Sequence, residues 1–293
     1  MEFNNIQKTS GAIGVFDSGY GGLTILEKIR EQMPEYDYIY LGDNARTPYG
    51  PRSFEVVYEF TLQAVKKLFE LGCPLVILAC NTASAKALRS IQQINLPTMD
   101  ATRRVLGVIR PTVERIGQLT KTSHVGVLAT TGTIKSESYL LEIKKLFPDI
   151  KVTGEACPMW VPLVENNEFS SMGADYFIQK HINNLLEKDP LIDSIILGCT
   201  HYPLLLDKIK QFVPSNIRII AQGEYVAQSL QDYLTRHPEM DIRCSKKGTC
   251  QFLTTESKNK FEESASIFLQ QDNIIVESIS LESQIKSLPK TIL

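Results

Sequence analysis

Short apolar runs alternate along the chain with stretches in which apolar residues recur every three or four positions. The runs Ala12–Phe16, Tyr38–Leu41, Leu75–Ala79, Val125–Ala129, Lys151–Glu155, Ser194–Leu197, Ile217–Ala221 and Gln251–Thr254 are predicted strands. Several are continuously apolar, the pattern of parallel strands covered on both faces. The clearest helix-period segment is Ser53–Leu71, with Val57, Phe60, Ala64, Leu68 and Leu71 on one stripe, Ser53 as N-cap and Gly72 just past the end. Such alternation predicts an α/β fold with mainly parallel sheets.

A weak internal repeat refines this picture. Ala12–Gly19 matches His124–Thr131, with Gly14 and Gly126 spaced by 112 residues, and the runs that end in Cys80 and Cys199 match at a spacing of 119. Two matches at similar offsets predict two similar lobes related by pseudo-twofold symmetry, with the active site in the cleft between them. Ligands of open α/β sheets bind outside the carboxyl ends of the strands. Facing lobes therefore set Cys80 and Cys199 on opposite walls of one cleft.

Each of these cysteines ends a strand and precedes small or hydroxyl residues and then helical sequence: Cys80-Asn-Thr-Ala-Ser and Cys199-Thr-His-Tyr-Pro, with Pro203 suited to a first helical turn. A thiol at a helix N-terminus is expected to titrate below its usual value of about 8.5. Two acid/base groups on opposite faces of a carbon suit stereochemical inversion, one removing a proton while the other delivers one. Cys73 and Cys157 read as core fillers, and Cys244 and Cys250 as loop thiols.

The 293 residues fit one large or two ordinary domains, and 43% hydrophobic with 22% charged residues is globular composition. Thirty-one basic against 33 acidic residues, a net charge of −2, give no footprint for nucleic acid or an anionic membrane. No run approaches the ~18 apolar residues of a membrane span, and Met1–Ser10 lacks the apolar core of a secretory signal. A cytoplasmic protein with free thiols is expected. The six cysteines form no C-x-x-C pair, so no metal site is expected. No G-x-G-x-x-G or G-x-x-x-x-G-K-[ST] loop marks a nucleotide, and no cofactor is expected. His124, His181 and His237 read as structural or exposed, and Arg103 and Arg104 as a solvated helix face.

Four motifs carry a resemblance: Phe16-Asp-Ser-Gly-Tyr-Gly-Gly22, Gly42-Asp-Asn-Ala-Arg-Thr-Pro-Tyr-Gly50, Ala79-Cys-Asn-Thr-Ala83 and Gly198-Cys-Thr-His-Tyr-Pro203. From about Gly11 to about Phe268 the chain resembles the aspartate/glutamate racemases. His201, where aspartate racemases typically carry glutamate, points to the glutamate branch. The resemblance implies cofactor-independent interconversion of L- and D-glutamate, supplying D-glutamate for peptidoglycan. It makes Cys80 and Cys199 the proton-transfer pair, with Cys80 acting on the D- and Cys199 on the L-enantiomer. Asp17 assists the first thiol; His201 and Glu165, in Pro158-Met-Trp-Val-Pro-Leu-Val-Glu165, assist the second. Asp17, Ser18, Tyr49, Gly50, Asn81, Thr82, Thr200 and His201 match substrate-binding positions.

By the same resemblance, residues 1–104 and 221–293 form a discontinuous first lobe and 105–220 the second, and the expected partners are glutamate and a second copy of the chain. One departure stands out: Ile219-Ile-Ala-Gln-Gly-Glu224 lies where many members have an aspartate-bearing turn. Rival readings are a racemase of aspartate or another small amino acid, a two-lobed amino-acid binder without turnover, and a Cys80–Cys199 redox switch.

Overall fold

The structure, a computed structural model, describes residues 10–269 and 274–281. The N-terminal segment read above as lacking a signal lies almost wholly outside these residues, as does 282–293 of the expected first lobe.

Ten strands are present among the described residues: β1 (Ile13–Asp17), β2 (Tyr38–Gly42), β3 (Leu75–Leu78), β4 (Arg104–Gly107), β5 (His124–Ala129), β6 (Lys151–Ala156), β7 (Ser194–Gly198), β8 (Arg218–Ile220), β9 (Cys250–Thr254) and β10 (Val276–Ser278). They form a six-stranded sheet, β10-β9-β2-β1-β3-β4, and a four-stranded sheet, β6-β5-β7-β8. Every pairing within both sheets is parallel. The order β2-β1-β3-β4 recurs as β6-β5-β7-β8, so the weak sequence repeat corresponds to a repeated topology. β1 and β5 are equivalent, as are β3 and β7, the strands that lead to the two thiols.

The predicted strands lie where expected because they are buried on both faces: every residue of β1, β2, β3 and β7 is buried. Two strands escaped the sequence reading. β4 begins at Arg104, where the sequence suggests a solvated helix face. Arg104 instead opens this edge strand, paired with Leu75, while Arg103 is tied to Asp100 at 3.1 Å and lies over the Phe69 ring. β4 places residues 104–107 in the six-stranded sheet, so the expected lobe boundary after residue 104 falls inside a strand. Cys250 likewise opens β9 rather than lying in a loop, and Cys244 is buried at an isolated bridge to Gly11.

The chain crosses between the sheets twice, at Gly107–Ile109 after β4 and at Ala221–Gly223 after β8. A continuous core spans both sheets, taking Leu26, Tyr40 and Ile77 from one side and Leu128, Trp160, Leu197 and Tyr202 from the other. Cys157 is fully buried within it, and Cys73 is fully buried in a second cluster on the other face of the six-stranded sheet, with Leu68 and Val76. His181 is buried against Glu155 at 2.7 Å, His124 pairs with Asp189 and exposed His237 with Glu239, as structural histidines. No described helix is long and apolar enough to cross a membrane.

The helix Phe54–Glu70 starts where its pattern places it, with Ser53 Oγ accepting from the Val56 N–H at 3.3 Å, and Gly72 past its end takes φ +91°. Ser53→Ala should lower stability by about 1 kcal/mol, a Tm decrease of roughly 2 °C, with turnover per folded molecule retained; thermal unfolding with a parallel rate assay checks it.

Candidate active site

Each thiol is placed by the same device, a buried parallel strand ending at the start of a helical turn. Cys80 follows β3 and caps the helix Asn81–Lys86, its sulfur accepting from the Ala83 N–H at 3.4 Å. Ser18 Oγ, in the turn after β1, lies 3.4 Å from the same sulfur. The expectation that the helix end lowers this thiol's pKa is overturned. Burial, then the negative charge of Asp17, push Cys80 up to about 12, against the weaker opposing hydrogen bonds from Ser18 and Ala83. A helix of six residues carries too little dipole to offset that desolvation. Cys80 is therefore a protonated thiol at neutral pH.

Cys199 follows β7 and precedes a 3₁₀ turn, Tyr202–Leu205, with Pro203 in its first turn. Its sulfur lies 3.9 Å from His201 Nδ1, and His201 Nε2 lies 3.1 Å from Glu165 Oε1 at the end of the helix Trp160–Glu165. Burial alone would lower the imidazole pKa. The hydrogen bonds and charges of Cys199 and Glu165 outweigh it and hold His201 at about 10. As an imidazolium it has a proton on each nitrogen, one toward sulfur and one toward carboxylate. Phe268, on the late helix Lys258–Leu269, packs edge-on against this ring at 5.6 Å and walls it from solvent.

The two turns meet. Thr200 Oγ1 reaches Asp17 Oδ2 at 3.4 Å, and Thr24 Oγ1 donates to the Thr200 carbonyl at 3.1 Å. A Cβ on Gly21 would stand 2.3 Å from Thr200 Oγ1 and 2.5 Å from His201 Nδ1, so only glycine permits this approach. Asp17 is fully buried and accepts from the Gly19 N–H at 3.1 Å. Burial raises its carboxyl, opposed by the charge of His201 and the N–H groups of Gly19 and Gly22. Its hydrogen bonds go to Gly19 and Thr200, and it acts on Cys80 through its charge.

The other expected binding residues gather on the same contact. Thr82 Oγ1 lies 3.0 Å from Thr130 Oγ1 and 3.4 Å from Thr133 Oγ1 across the cleft. Gly50 packs against Thr130, whereas the Tyr49 hydroxyl donates to Asp43 and is thereby engaged. Asn81 bonds to Gln222 and Tyr139 at 2.7 Å each. Thr130, Thr133, Tyr139, Gln222 and Phe268 escaped the sequence reading as parts of this site. Only Gln222 gave a signal, as a polar residue in the departing 219–224 turn.

Both thiols are free and almost fully buried. A groove of about 760 Å³ along Ser84, Arg110, Glu142 and Tyr233 includes neither. Beside the thiols the two lobes are held in contact by the Thr24, Thr82 and Thr200 hydrogen bonds. Gly21→Ala, which wedges the lobes apart, should lower turnover by about 10²-fold through misplacement of the groups on either side, with folding confirmed by circular dichroism.

Two like parallel-sheet lobes with a buried thiol at the end of an equivalent strand in each define the class of fold. The family model for Asp/Glu/hydantoin racemases matches residues 13–230, and the chain belongs to that family. Curated relatives include the glutamate racemases of Roseobacter denitrificans, 37% identical over 89% of this chain and 97% of that protein, and of Bacillus cereus, 38% identical over 94% and 100%. The crystal structure of a glutamate racemase isoform from Bacillus anthracis superposes with a TM-score of 0.84 at 34% identity, covering 92% of this chain and 98% of that one. That of the Francisella tularensis glutamate racemase, in complex with D-glutamate, gives 0.82 at 32% identity over 93% and 98%.

Proposed function

We propose that this racemase interconverts L- and D-glutamate without a cofactor, using Cys80 and Cys199 as the proton-transfer pair. The observation that carries the reading is the pairing of two buried thiols from opposite lobes, each with a different electrostatic partner. In the L-to-D direction Cys199, as thiolate, takes the α-proton and becomes a thiol. The Cys80 thiol gives its proton to the opposite face of the same carbon and becomes a thiolate. One proton leaves the carbon and one arrives, and the D-to-L direction reverses both transfers. The His201 imidazolium next to Cys199 is the usual stabilising partner of a thiolate, and Glu165 keeps that imidazole charged and oriented.

Ser18, Gly50, Asn81, Thr82 and Thr200, with the backbone N–H of Tyr49, form the substrate cradle in this proposal. They supply hydroxyl, amide and loop N–H donors for the substrate's carboxylates. The glutamate racemase names of the relatives and the D-glutamate in the Francisella structure support glutamate as substrate. Supply of D-glutamate for peptidoglycan, a cytoplasmic setting and a homodimer belong to the same proposal through the family resemblance, and sedimentation equilibrium decides the dimer.

Cys80→Ser and Cys199→Ser should each stay folded and lose inversion, because serine is far too weak an acid to serve either role near neutral pH. Thermal unfolding and polarimetry on L-glutamate, without pyridoxal phosphate and with a chelator, test this, with Cys73→Ser and Cys157→Ser as active controls. A folded Cys80→Ser or Cys199→Ser variant that racemises at near wild-type rate refutes the two-thiol reading.

The Cys199–His201–Glu165 chain makes a second prediction. His201 titrates at about 10, so the charge it supplies persists through neutral pH and is lost as pH rises through that value. Glu165→Gln removes one cause of the raised pKa. The alkaline limb of the L-to-D kcat profile should then move toward neutrality, and kcat should fall more for L- than for D-glutamate. The equilibrium constant ties the two kcat/KM values together, so the separate kcat values are compared. Equal falls in both, with an unmoved limb, remove Glu165 and His201 from service to Cys199.

A further inference from the structure

The side chain of Gln222 closes a ring of hydrogen bonds that joins the lobes beside Cys80. Asn81 Nδ2 donates to Gln222 Oε1 at 2.7 Å, Gln222 Nε2 donates to the Tyr139 hydroxyl at 2.8 Å, and that hydroxyl donates to Asn81 Oδ1 at 2.7 Å. Gln222 Nε2 also faces the Val108 carbonyl at 3.0 Å and Thr112 Oγ1 at 3.1 Å. Gln222, Asn81, Tyr139 and Thr112 are all buried, so each of these groups depends on protein partners.

The sense of the ring is dictated by one backbone atom. The Val108 carbonyl only accepts, so the Gln222 amide presents its nitrogen there and its oxygen to Asn81. Asn81 must then offer Nδ2 to Gln222 and Oδ1 to Tyr139. Burial pushes the Tyr139 phenol far above its ordinary value, so it keeps the proton it donates. What remains of the Asn81 carboxamide, one N–H and one lone pair, is left in a single orientation. Val108 and Gln222 also sit on the two crossings between sheets, and the Val108 N–H donates to Ser84 Oγ of the Cys80 helix at 3.3 Å.

We infer that Gln222 is a positioning residue: through its ring with Tyr139 it fixes the Asn81 carboxamide next to Cys80 and ties the two inter-lobe crossings together in the closed state. The inference rests on the proposal that Asn81 belongs to the glutamate site. Gln222 itself touches no reacting atom in this reading; it acts through Asn81. The 219–224 turn, where the chain departs from the aspartate-bearing pattern, thereby becomes part of the site's support.

A double-mutant cycle on the full chain tests it, with Gln222→Met, Asn81→Ala and the double variant assayed for racemisation of L-glutamate. Gln222→Met keeps the volume and removes every hydrogen bond. Its KM for glutamate should rise about tenfold, the scale of a lost buried hydrogen bond to a charged group. Asn81→Ala should raise KM similarly, and adding Gln222→Met to it should change KM by less than about twofold, because groups acting in series are not additive. A merely structural glutamine would lower Tm and the active fraction while leaving KM in place. An unchanged KM in Gln222→Met, an unchanged KM in Asn81→Ala, or increments that multiply in the double variant overturn the inference. Where Gln222→Met fails to fold, Tyr139→Phe, which removes one donor of the ring, carries the same comparison. A wild-type chain inert toward glutamate overturns the function and this role together; an active one with multiplying increments overturns the role alone.

Discussion

The backbone of Gly21 against the Thr200–His201 turn is the contact on which the site depends. Without the room left by a missing Cβ, the first turn of one lobe could not come within hydrogen-bond reach of the Cys199 turn of the other. Once it does, a series of buried polar groups finds partners that neither lobe supplies alone: Thr200 on Asp17, Thr24 on the Thr200 carbonyl, Thr82 on Thr130. Buried donors and acceptors are costly to leave unmatched. The closed arrangement is therefore specified by many small matches that all require one close backbone approach.

The duplicated sheet order explains why there are two thiols, and its imperfections explain why they differ. β1 matches β5 and β3 matches β7, so symmetry alone delivers two strand ends with a sulfur on each side of one cleft. In the repeat, Asp17 has Ala129 as its counterpart, so a carboxylate at this position occurs in one lobe only. Its charge adds to burial in keeping Cys80 a thiol. The other sulfur has the His201–Glu165 pair instead. Opposite faces come from the symmetry; unlike electrostatic partners come from its breakdown. Inversion needs a base on one face and an acid on the other, and unlike partners suit that division.

Strands buried on both faces were legible in the sequence because every position reports the same environment; β1, β3, β5 and β7 fall within a residue or two of their apolar runs. β4 and β10 were not, since an edge strand of three or four residues with a single buried position carries almost no pattern. The thiols and their motif neighbours were legible as local strings. The Gln222 ring was not, because its members come from sequence positions 81, 108, 112, 139 and 222, and no local pattern links them. The expected acidity of Cys80 failed for a related reason. A helix end is visible in sequence, whereas burial in the packed core and the proximity of Asp17 are tertiary facts.

The acid strength of Cys80 is thus a property of its surroundings rather than of the residue. Desolvation is the largest cause of its raised pKa, and the sulfur belongs to a core cluster of its own lobe with Phe16, Tyr49 and Leu78. His201 answers burial in the opposite sense. Its burial lowers its pKa, while its neighbours Glu165 and Cys199 raise it. Desolvation therefore keeps the proton on Cys80, while the paired groups keep the charge on His201 against the same effect. The packing around each group and its proton chemistry are coupled through desolvation, so the contacts that bury Cys80 also set its acid strength.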